Sequence, residues 1–151
     1  MTQEQKDLLI KDLCGRLSHG VKCKILETNE VKIIGSIQYD GENTLFDFWE
    51  DEQKIQYGHQ LYLSEFKPCL FPLSSMTEEQ KYEFYLKFIV KDCDCVFDYF
   101  KFCLDDGKWH KLLTSLLAVE EIIDWFHKNH IDYRGLIPMG LAIDATGLNI
   151  Y

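Results

Sequence analysis

The sequence predicts a single domain of the α+β class covering residues 1–151, and three observations indicate this class. The chain has 151 residues, of which 46% are hydrophobic and 14% aromatic, so it can bury one well-filled core. Its apolar residues recur with the period of a helix near both ends of the chain. Between about residues 21 and 66 they alternate with polar residues, which is the period of half-buried strands. Helices segregated from an antiparallel sheet define the α+β class.

The first predicted element is an amphipathic helix. Thr2 and Gln5 have the spacing of a capping box, in which each side chain accepts a hydrogen bond from the other residue's backbone N–H. Leu9 and Leu13 follow one turn apart and place apolar side chains on one face. Gly20 is expected to end the helix, because glycine readily adopts the left-handed conformation found after helix C-termini.

Four short strands follow in the prediction and form an antiparallel meander. They are expected at residues 21–27, 31–39, 44–49 and 60–66. The dipeptide Asp40-Gly41, between the second and third strands, is a strong signal for a tight turn. A meander of this size either closes into a small SH3-like barrel or stays an open sheet, and the sequence is compatible with both.

Helices are predicted for most of the C-terminal half. Pro68 and Pro72 exclude a regular helix before residue 74, whereas Thr77 and Gln80 form a second capping box at which a helix should start. Residues 93–113 fit a helix about as well as an extended run of aromatic residues, and we interpret them as helical. The buried face of the helix that starts at the second capping box is predicted to be Tyr82, Tyr85, Phe88 and Ile89.

The last long helix is expected from Ser115 to about Asn129, and the residues after it are unusually apolar for a chain terminus. Pro138 prevents this helix from continuing. Leu141 and Ile143 are expected to form a short terminal strand that packs on the sheet or on the last helix. Residues after Ala145 are expected to be dispensable for folding.

The first residues contain Lys6, Asp7, Lys11 and Asp12 among apolar residues, so they do not resemble an export signal. No stretch is long and apolar enough for a membrane span, and a cytoplasmic location with reduced cysteines is expected.

The six cysteines include no C-x-x-C pair, and Cys93 with Cys95 lacks the second pair that a zinc knuckle needs. One of these two thiols could be a nucleophile with His110 as base, but no oxyanion-type loop accompanies them. Neither a metal nor a cofactor is predicted.

The charge of the chain indicates the class of partner. The formal net charge is -9, and residues 40–52 contain six carboxylates and no Lys or Arg. An acidic surface repels phosphate backbones, so direct nucleic-acid binding is disfavoured and a basic protein is the expected partner. The alternative is a solvated acidic hairpin that only keeps the protein soluble. The residues assigned to partner binding are Asp40, Glu42, Asp47, Glu50, Asp51, Glu52 and Arg134.

Arg134 belongs to this set because it lies between Tyr133 and Gly135, a setting from which a guanidinium can bind a carboxylate or phosphate. The simpler interpretation, which we favour, is internal. In that case Asp132 caps a short turn and Arg134 pairs with a carboxylate of the same chain.

These features favour a non-enzymatic interaction or regulatory protein, and two other functions stay open. Asp124, His127 and His130 could share one side of the last helix as the site of a small hydrolase or transferase, with or without a metal. A solvated cationic cap on the helix end is the simpler explanation of the two histidines. An acidic mimic of nucleic acid that inhibits a DNA-binding protein would require carboxylates spaced like phosphates along one face.

Three sequence blocks carry a resemblance to a known family: KDLCGRLSHGVKC, KPCLFPLSSMTEEQ and IDWFHKNHIDYRGLIPMGLAIDA. In this order they resemble a family of small uncharacterised proteins of gut Bacteroidales, often found in phage-like or mobile-element neighbourhoods. The chain departs from the family pattern at Cys69 and Phe71, where the family tends to have Tyr and Arg. The resemblance implies a bacterial or phage cytoplasmic setting and carries no activity.

Overall fold

A computed structural model describes residues 1–39, 43–49, 56–88 and 119–151, with the backbone alone for residues 56–59 and 119. The predicted helix at residues 93–113, with Cys93, Cys95 and His110, lies outside the described residues. The elements are α1 (Gln3–Arg16), β1 (Lys22–Ile25), β2 (Val31–Tyr39), β3 (Thr44–Trp49), β4 (Gln56–Tyr62), β5 (Phe66–Pro72), α2 (Glu78–Phe88), α3 (Val119–Lys128), β6 (Ile131–Asp132) and β7 (Ile143–Asp144). This architecture confirms the predicted α+β class.

The N-terminal helix forms as predicted, and its capping box is complete. The backbone N–H of Gln5 donates to Thr2 Oγ1 at 3.2 Å, and the N–H of Thr2 donates to Gln5 Oε1 at 2.9 Å. A single 3-10 turn at Leu17–His19 extends the helix, and Gly20 ends it in the left-handed conformation with φ of 65°.

The sheet has the strand order β4-β3-β2-β1-β5-β6, with β7 also paired to β5. All pairs among strands β1 to β5 are antiparallel, whereas β6 and β7 each run parallel to β5. Within the described residues β4 pairs with β3 alone, so the strand ladder is not closed into a barrel there. In this part of the chain the meander is an open sheet, and the C-terminal strands extend it on the β5 side.

The predicted fourth strand at residues 60–66 is wrong in its bounds, because it spans the end of one strand and the start of another. Strand β4 ends at Tyr62, and β5 begins at Phe66 after a short turn. Strand β5 was not predicted because it contains two prolines, and proline has no N–H to donate to a strand ladder. Leu26 N–H donates to the Glu65 carbonyl, so these two residues form a hydrogen-bonded pair of the β1–β5 ladder. Hydrogen-bonded and non-hydrogen-bonded pairs alternate along an antiparallel ladder. The Cys23–Pro68 pair falls at a non-bonded position, where no N–H is needed.

Two hydrophobic clusters form the interior. The first lies between α1 and the sheet, and its buried members are Leu9, Leu13, Val21, Cys23, Ile25, Ile34, Phe46, Phe48, Leu63, Phe66, Leu70, Leu136, Leu141 and Ala142. The second lies between α2, α3 and β6, and its buried members are Met76, Phe84, Tyr85, Ile122, Trp125, Phe126 and Ile131. Of the described helices, none has the length and apolar character needed to cross a bilayer.

Helix α2 begins at the predicted capping box and buries part of the predicted face, since Tyr85 is buried and Phe88 packs against the second cluster. Gln80 N–H donates to Thr77 Oγ1 at 3.2 Å, which confirms the predicted start. Phe84 and Tyr85 are buried, whereas Tyr82 is 54% exposed, so its predicted burial is wrong. The reason is tertiary, because the aromatic rings of α3 lie on the Phe84 side of the helix. Ile89, also assigned to that face, lies outside the described residues.

The apolar tail packs on the sheet, as predicted. Strand β7 pairs with β5, and Ala145 N–H donates to the Leu70 carbonyl at 2.8 Å. Leu136 and Leu141 belong to the first hydrophobic cluster. The tail therefore contributes buried side chains to the interior, namely Leu136, Leu141, Ala142 and Ala145.

Candidate functional site

A buried ion pair connects the N-terminal helix to the C-terminal part of the chain. Arg16 Nε lies 2.6 Å from Asp12 Oδ2, and both side chains are 0% exposed. Their i, i+4 spacing on α1 places them on one helix face. Because an isolated buried charge is costly, each ion depends on the other for compensation.

Arg16 also holds the end of α3. Its Nη2 donates to the Ile131 carbonyl at 2.8 Å, and its Nη1 is 3.5 Å from the Phe126 carbonyl in the last turn of α3. Carbonyls at a helix C-terminus have no partner within the helix and carry partial negative charge. The guanidinium therefore satisfies backbone groups of both α3 and β6.

Three side chains from the C-terminal part complete the group. Arg134 Nε donates to Asp12 Oδ1 at 3.2 Å, and its guanidinium carbon lies 4.8 Å from the centre of the Tyr133 ring. His127 Nε2 lies 3.1 Å from the Tyr133 hydroxyl and 3.8 Å from Asp12 Oδ1. We call Asp12, Arg16, His127, Tyr133 and Arg134 the buried polar cluster. Both arginines of the chain therefore form ion pairs with the Asp12 carboxylate.

The ionisation of Asp12 follows from this environment. Burial opposes its charge and would raise the pKa, but the neighbouring His127 and the positive charge of Arg16 outweigh burial, so the pKa of Asp12 lies below its ordinary value of 3.8. The carboxylate is 0% exposed, which keeps it out of reach of a substrate in this conformation. The arrangement is suited to holding α1 against α3 and β6.

Gly15 has no side chain, and this lets α1 pack closely against the ring of His127. A Cβ at this position would lie 2.2 Å from His127 Cε1, well inside van der Waals contact. The imidazole cannot retreat easily, because His127 is only 5% exposed. Glycine is therefore required here by packing, although it is a poor helix former.

We expect Gly15→Ala to destabilise the protein, although Ala in a helix interior is normally about 1 kcal/mol more favourable than Gly. The expected reversal of sign comes from the clash with the imidazole, and the measurement is the free energy of urea unfolding. The double variant Gly15→Ala/His127→Ala removes the obstacle and should be less destabilised than the sum of its two single changes. Additive effects of the two substitutions would contradict this account.

The three residues of the hydrolase alternative do not converge. Asp124 Oδ1 is 2.9 Å from His19 Nε2, His127 is in the buried polar cluster, and the ring of His130 stacks on Tyr151. The simpler explanation of a solvated cap is also wrong for His127, which is 5% exposed. Among the described residues no group of three or more His, Cys, Asp or Glu side chains is placed to hold a metal ion.

The assigned partner-binding residues divide into two groups. Asp47 is 7% exposed, and its carboxylate accepts hydrogen bonds from Ser36 Oγ at 2.5 Å and Gln38 Nε2 at 2.7 Å. Arg134 is paired with Asp12, so both described members of the set have partners inside the protein. The other five, Asp40, Glu42, Glu50, Asp51 and Glu52, lie outside the described residues.

The favoured internal interpretation of Asp132 and Arg134 is confirmed. Asp132 accepts hydrogen bonds from the backbone N–H groups of Leu136 and Ile137, each at 2.8 Å. The carboxylate thereby caps the turn that follows it, and Arg134 pairs with a carboxylate of the same chain.

A cleft of about 560 Å³ lies where the start of α1 meets the end of β2, the start of β3 and the end of β4. We call it the N-terminal cleft. Tyr39 and Tyr62 line it and are 72% and 50% exposed, respectively. Asp7 and Lys6 from α1 and Asn43, which directly precedes β3, also line it. The cleft therefore combines accessible aromatic rings with polar and charged groups.

Sequence reasoning missed the buried polar cluster and the N-terminal cleft. An available signal for the cluster was the pair Asp12 and Arg16, since an acid four residues before a base on an amphipathic helix forms an ion pair. The cleft had no such signal, because its lining comes from segments far apart in the sequence.

No protein-family model matches the chain, and no curated protein or solved structure gives a significant match.

Proposed function

We propose that the protein is a non-enzymatic interaction protein that binds a basic segment of a partner protein at the N-terminal cleft. The observation that carries the proposal is the pair of exposed tyrosines in a cleft that adjoins the acidic region of the sequence. Tyr39 and Asn43, which both line the cleft, are the described residues on either side of Asp40–Glu42. In the sequence, two carboxylates, Asp40 and Glu42, therefore lie between two residues that line the cleft.

The chemistry of the cleft suits lysine and arginine side chains. A cation over the face of an exposed tyrosine gains about 0.5–1 kcal/mol, and the Asp7 carboxylate adds a hydrogen-bond acceptor. The net charge of -9 favours the approach of a basic partner over long distances. Asp47 takes no part in this proposal, because its carboxylate is buried.

The cytoplasmic, bacterial or phage setting belongs to the same proposal and is supported by the resemblance of the three sequence blocks. Glu50, Asp51 and Glu52 follow the end of β3, whereas the cleft lies at its start, because Thr44 lines the cleft and Trp49 ends the strand. In this proposal they contribute to attracting a basic partner and not to the contact in the cleft.

The proposal is tested by titrating a Lys/Arg-rich peptide into the protein and measuring the dissociation constant by calorimetry. We expect binding that weakens as salt is raised, and Tyr39→Ala/Tyr62→Ala to weaken it about 5- to 30-fold, which corresponds to two cation–π contacts. Tyr82→Ala is the matched control, since Tyr82 is 54% exposed but lies on α2 and not in the cleft.

Two results would contradict the proposal. One is an equal loss of affinity in the Tyr82→Ala control and in the double variant. The other is binding of an acidic peptide of the same length as tightly as the basic one.

A further inference from the structure

The side chain of Tyr151 fills a slot just beyond the last paired residues of β1 and β5. The residues around it are Lys22 from β1, Cys69 and Phe71 from β5, and His130 from the turn after α3, and we call this set the tail slot. The expectation that residues after Ala145 are dispensable did not anticipate these contacts. Tyr151 is 40% exposed as a residue, but its hydroxyl points inward to the sheet.

Two backbone groups of the sheet bind the Tyr151 hydroxyl. The oxygen accepts from the Lys22 N–H at 3.0 Å, and the O–H donates to the Cys69 carbonyl at 2.8 Å. A phenol can use its donor and an acceptor in this way, whereas a plain phenyl ring satisfies neither partner and a phenolate cannot donate. Burial raises the pKa of Tyr151, which agrees with a neutral hydroxyl in the slot.

Aromatic and cationic groups surround the ring of Tyr151. The imidazole of His130 stacks on it, with ring centres 3.9 Å apart and planes 19° apart, and the Phe71 ring lies at 5.6 Å. Lys22 Nζ is 5.5 Å from the ring centre. Burial and the nearby charges of Arg16, His19 and Lys22 lower the pKa of His130 to about 4, so the stacking partner is neutral at pH 7.

The segment that carries Tyr151 is exposed, and the backbone N–H groups of Thr146 and Leu148 donate to residues only two or three positions earlier. Ala145 is buried on the sheet, but residues 146–149 are all exposed. Gly147 has φ of 77°, and a Cβ there would meet nothing within 4 Å. Ile150 contributes a carbonyl that accepts from Lys22 Nζ. The residues that form the slot and Tyr151, which fills it, are thus connected through the exposed residues 146–149.

We propose that the tail slot is a binding site for a neutral phenol. In the folded chain the side chain of Tyr151 occupies the slot, and an external phenol occupies it when residues 146–151 move out. The slot selects the hydroxyl through the two backbone groups and the ring through the stack on His130. The external phenol is either a small molecule or a tyrosine side chain of another polypeptide. This site shares no residue with the N-terminal cleft.

The test uses the full-length Tyr151→Ala variant, which empties the slot, with p-cresol as the probe. We expect p-cresol to raise the melting temperature saturably and to shift the NMR resonance of the Lys22 amide. Toluene, which has the same ring without a hydroxyl, should bind at least 10-fold more weakly. Tyr82→Ala is the control for a lost surface tyrosine and should show no such shift. An unshifted Lys22 amide in folded Tyr151→Ala, or toluene binding as tightly as p-cresol, overturns the proposal.

The peptide TGLNIY, which corresponds to residues 146–151, distinguishes the two sources of the phenol. If the peptide binds at least 10-fold more tightly than p-cresol, the result supports the slot and indicates a polypeptide ligand. If the peptide and p-cresol bind with similar affinity, the result supports the slot and indicates a small phenol. If Tyr151→Ala does not fold, Tyr151→Phe decides, because it keeps the ring and leaves the two backbone groups unpaired. Millimolar p-cresol should then shift the Lys22 amide, and no shift overturns the proposal.

Discussion

A chain ended at Tyr133 is expected to lose cooperative folding. The truncation removes Leu136 and Leu141, which are 0% and 6% exposed in the first hydrophobic cluster, together with strand β7. Full burial of one such side chain contributes about 1.5–3 kcal/mol, and a whole domain is stable by only about 5–15 kcal/mol. Since Ala142 and Ala145 are lost as well, the removed contacts are comparable to the total stability. Circular dichroism during thermal unfolding should show no cooperative transition.

A matched pair of point variants tests the contribution of the tail to stability without removing the tail. Leu136→Ala is expected to cost about 2–5 kcal/mol, because it leaves a cavity at a fully buried position. Leu148→Ala should change the free energy of unfolding by less than about 0.5 kcal/mol, since Leu148 is 46% exposed. A truncated protein that stayed monomeric and unfolded cooperatively would show that the tail is a detachable arm.

Asp12→Ala is expected to cost about 3–5 kcal/mol of unfolding free energy, the range observed when one partner of a buried ion pair is removed. The Arg16 guanidinium would stay buried without its carboxylate, and Arg134 would lose its partner as well. Asp7→Ala on the same helix is the control, because Asp7 is an exposed residue that accepts a hydrogen bond from Gln3. A loss below about 1 kcal/mol for Asp12→Ala would mean that the buried polar cluster contributes no net stability.

The same carboxylate predicts a dependence on pH. Because the pKa of Asp12 in the folded protein lies below its ordinary value of 3.8, the unfolded chain takes up this proton first as the pH falls. The stability that the charged carboxylate contributes is therefore present above pH 3.8 and is lost as the pH falls through the folded pKa. Asp12→Asn has no proton to bind, so its difference in unfolding free energy from the wild type should shrink below pH 3.8. A constant difference across that range would contradict this assignment.

The sequence by itself determined the elements whose signals are local. The capping boxes at Thr2 and Thr77 predicted two helix starts, because a cap needs only residues three positions apart. Strands β2 and β3 were predicted with their observed bounds, since alternation and the Asp40-Gly41 dipeptide are sequence signals that span only a few residues. The packing of the apolar tail followed from its composition.

Tertiary structure alone decided the features that depend on contacts between distant segments. Strand β5 exists in spite of Pro68 because β1 presents a position that needs no N–H. The buried polar cluster unites residues of α1 with residues more than 100 positions later, and the tail slot unites Lys22 with Tyr151. The physical reason is that burial and the pairing of charges depend on distances in space. The periodicity of a sequence reports which face of an element is apolar, but not which element will cover that face.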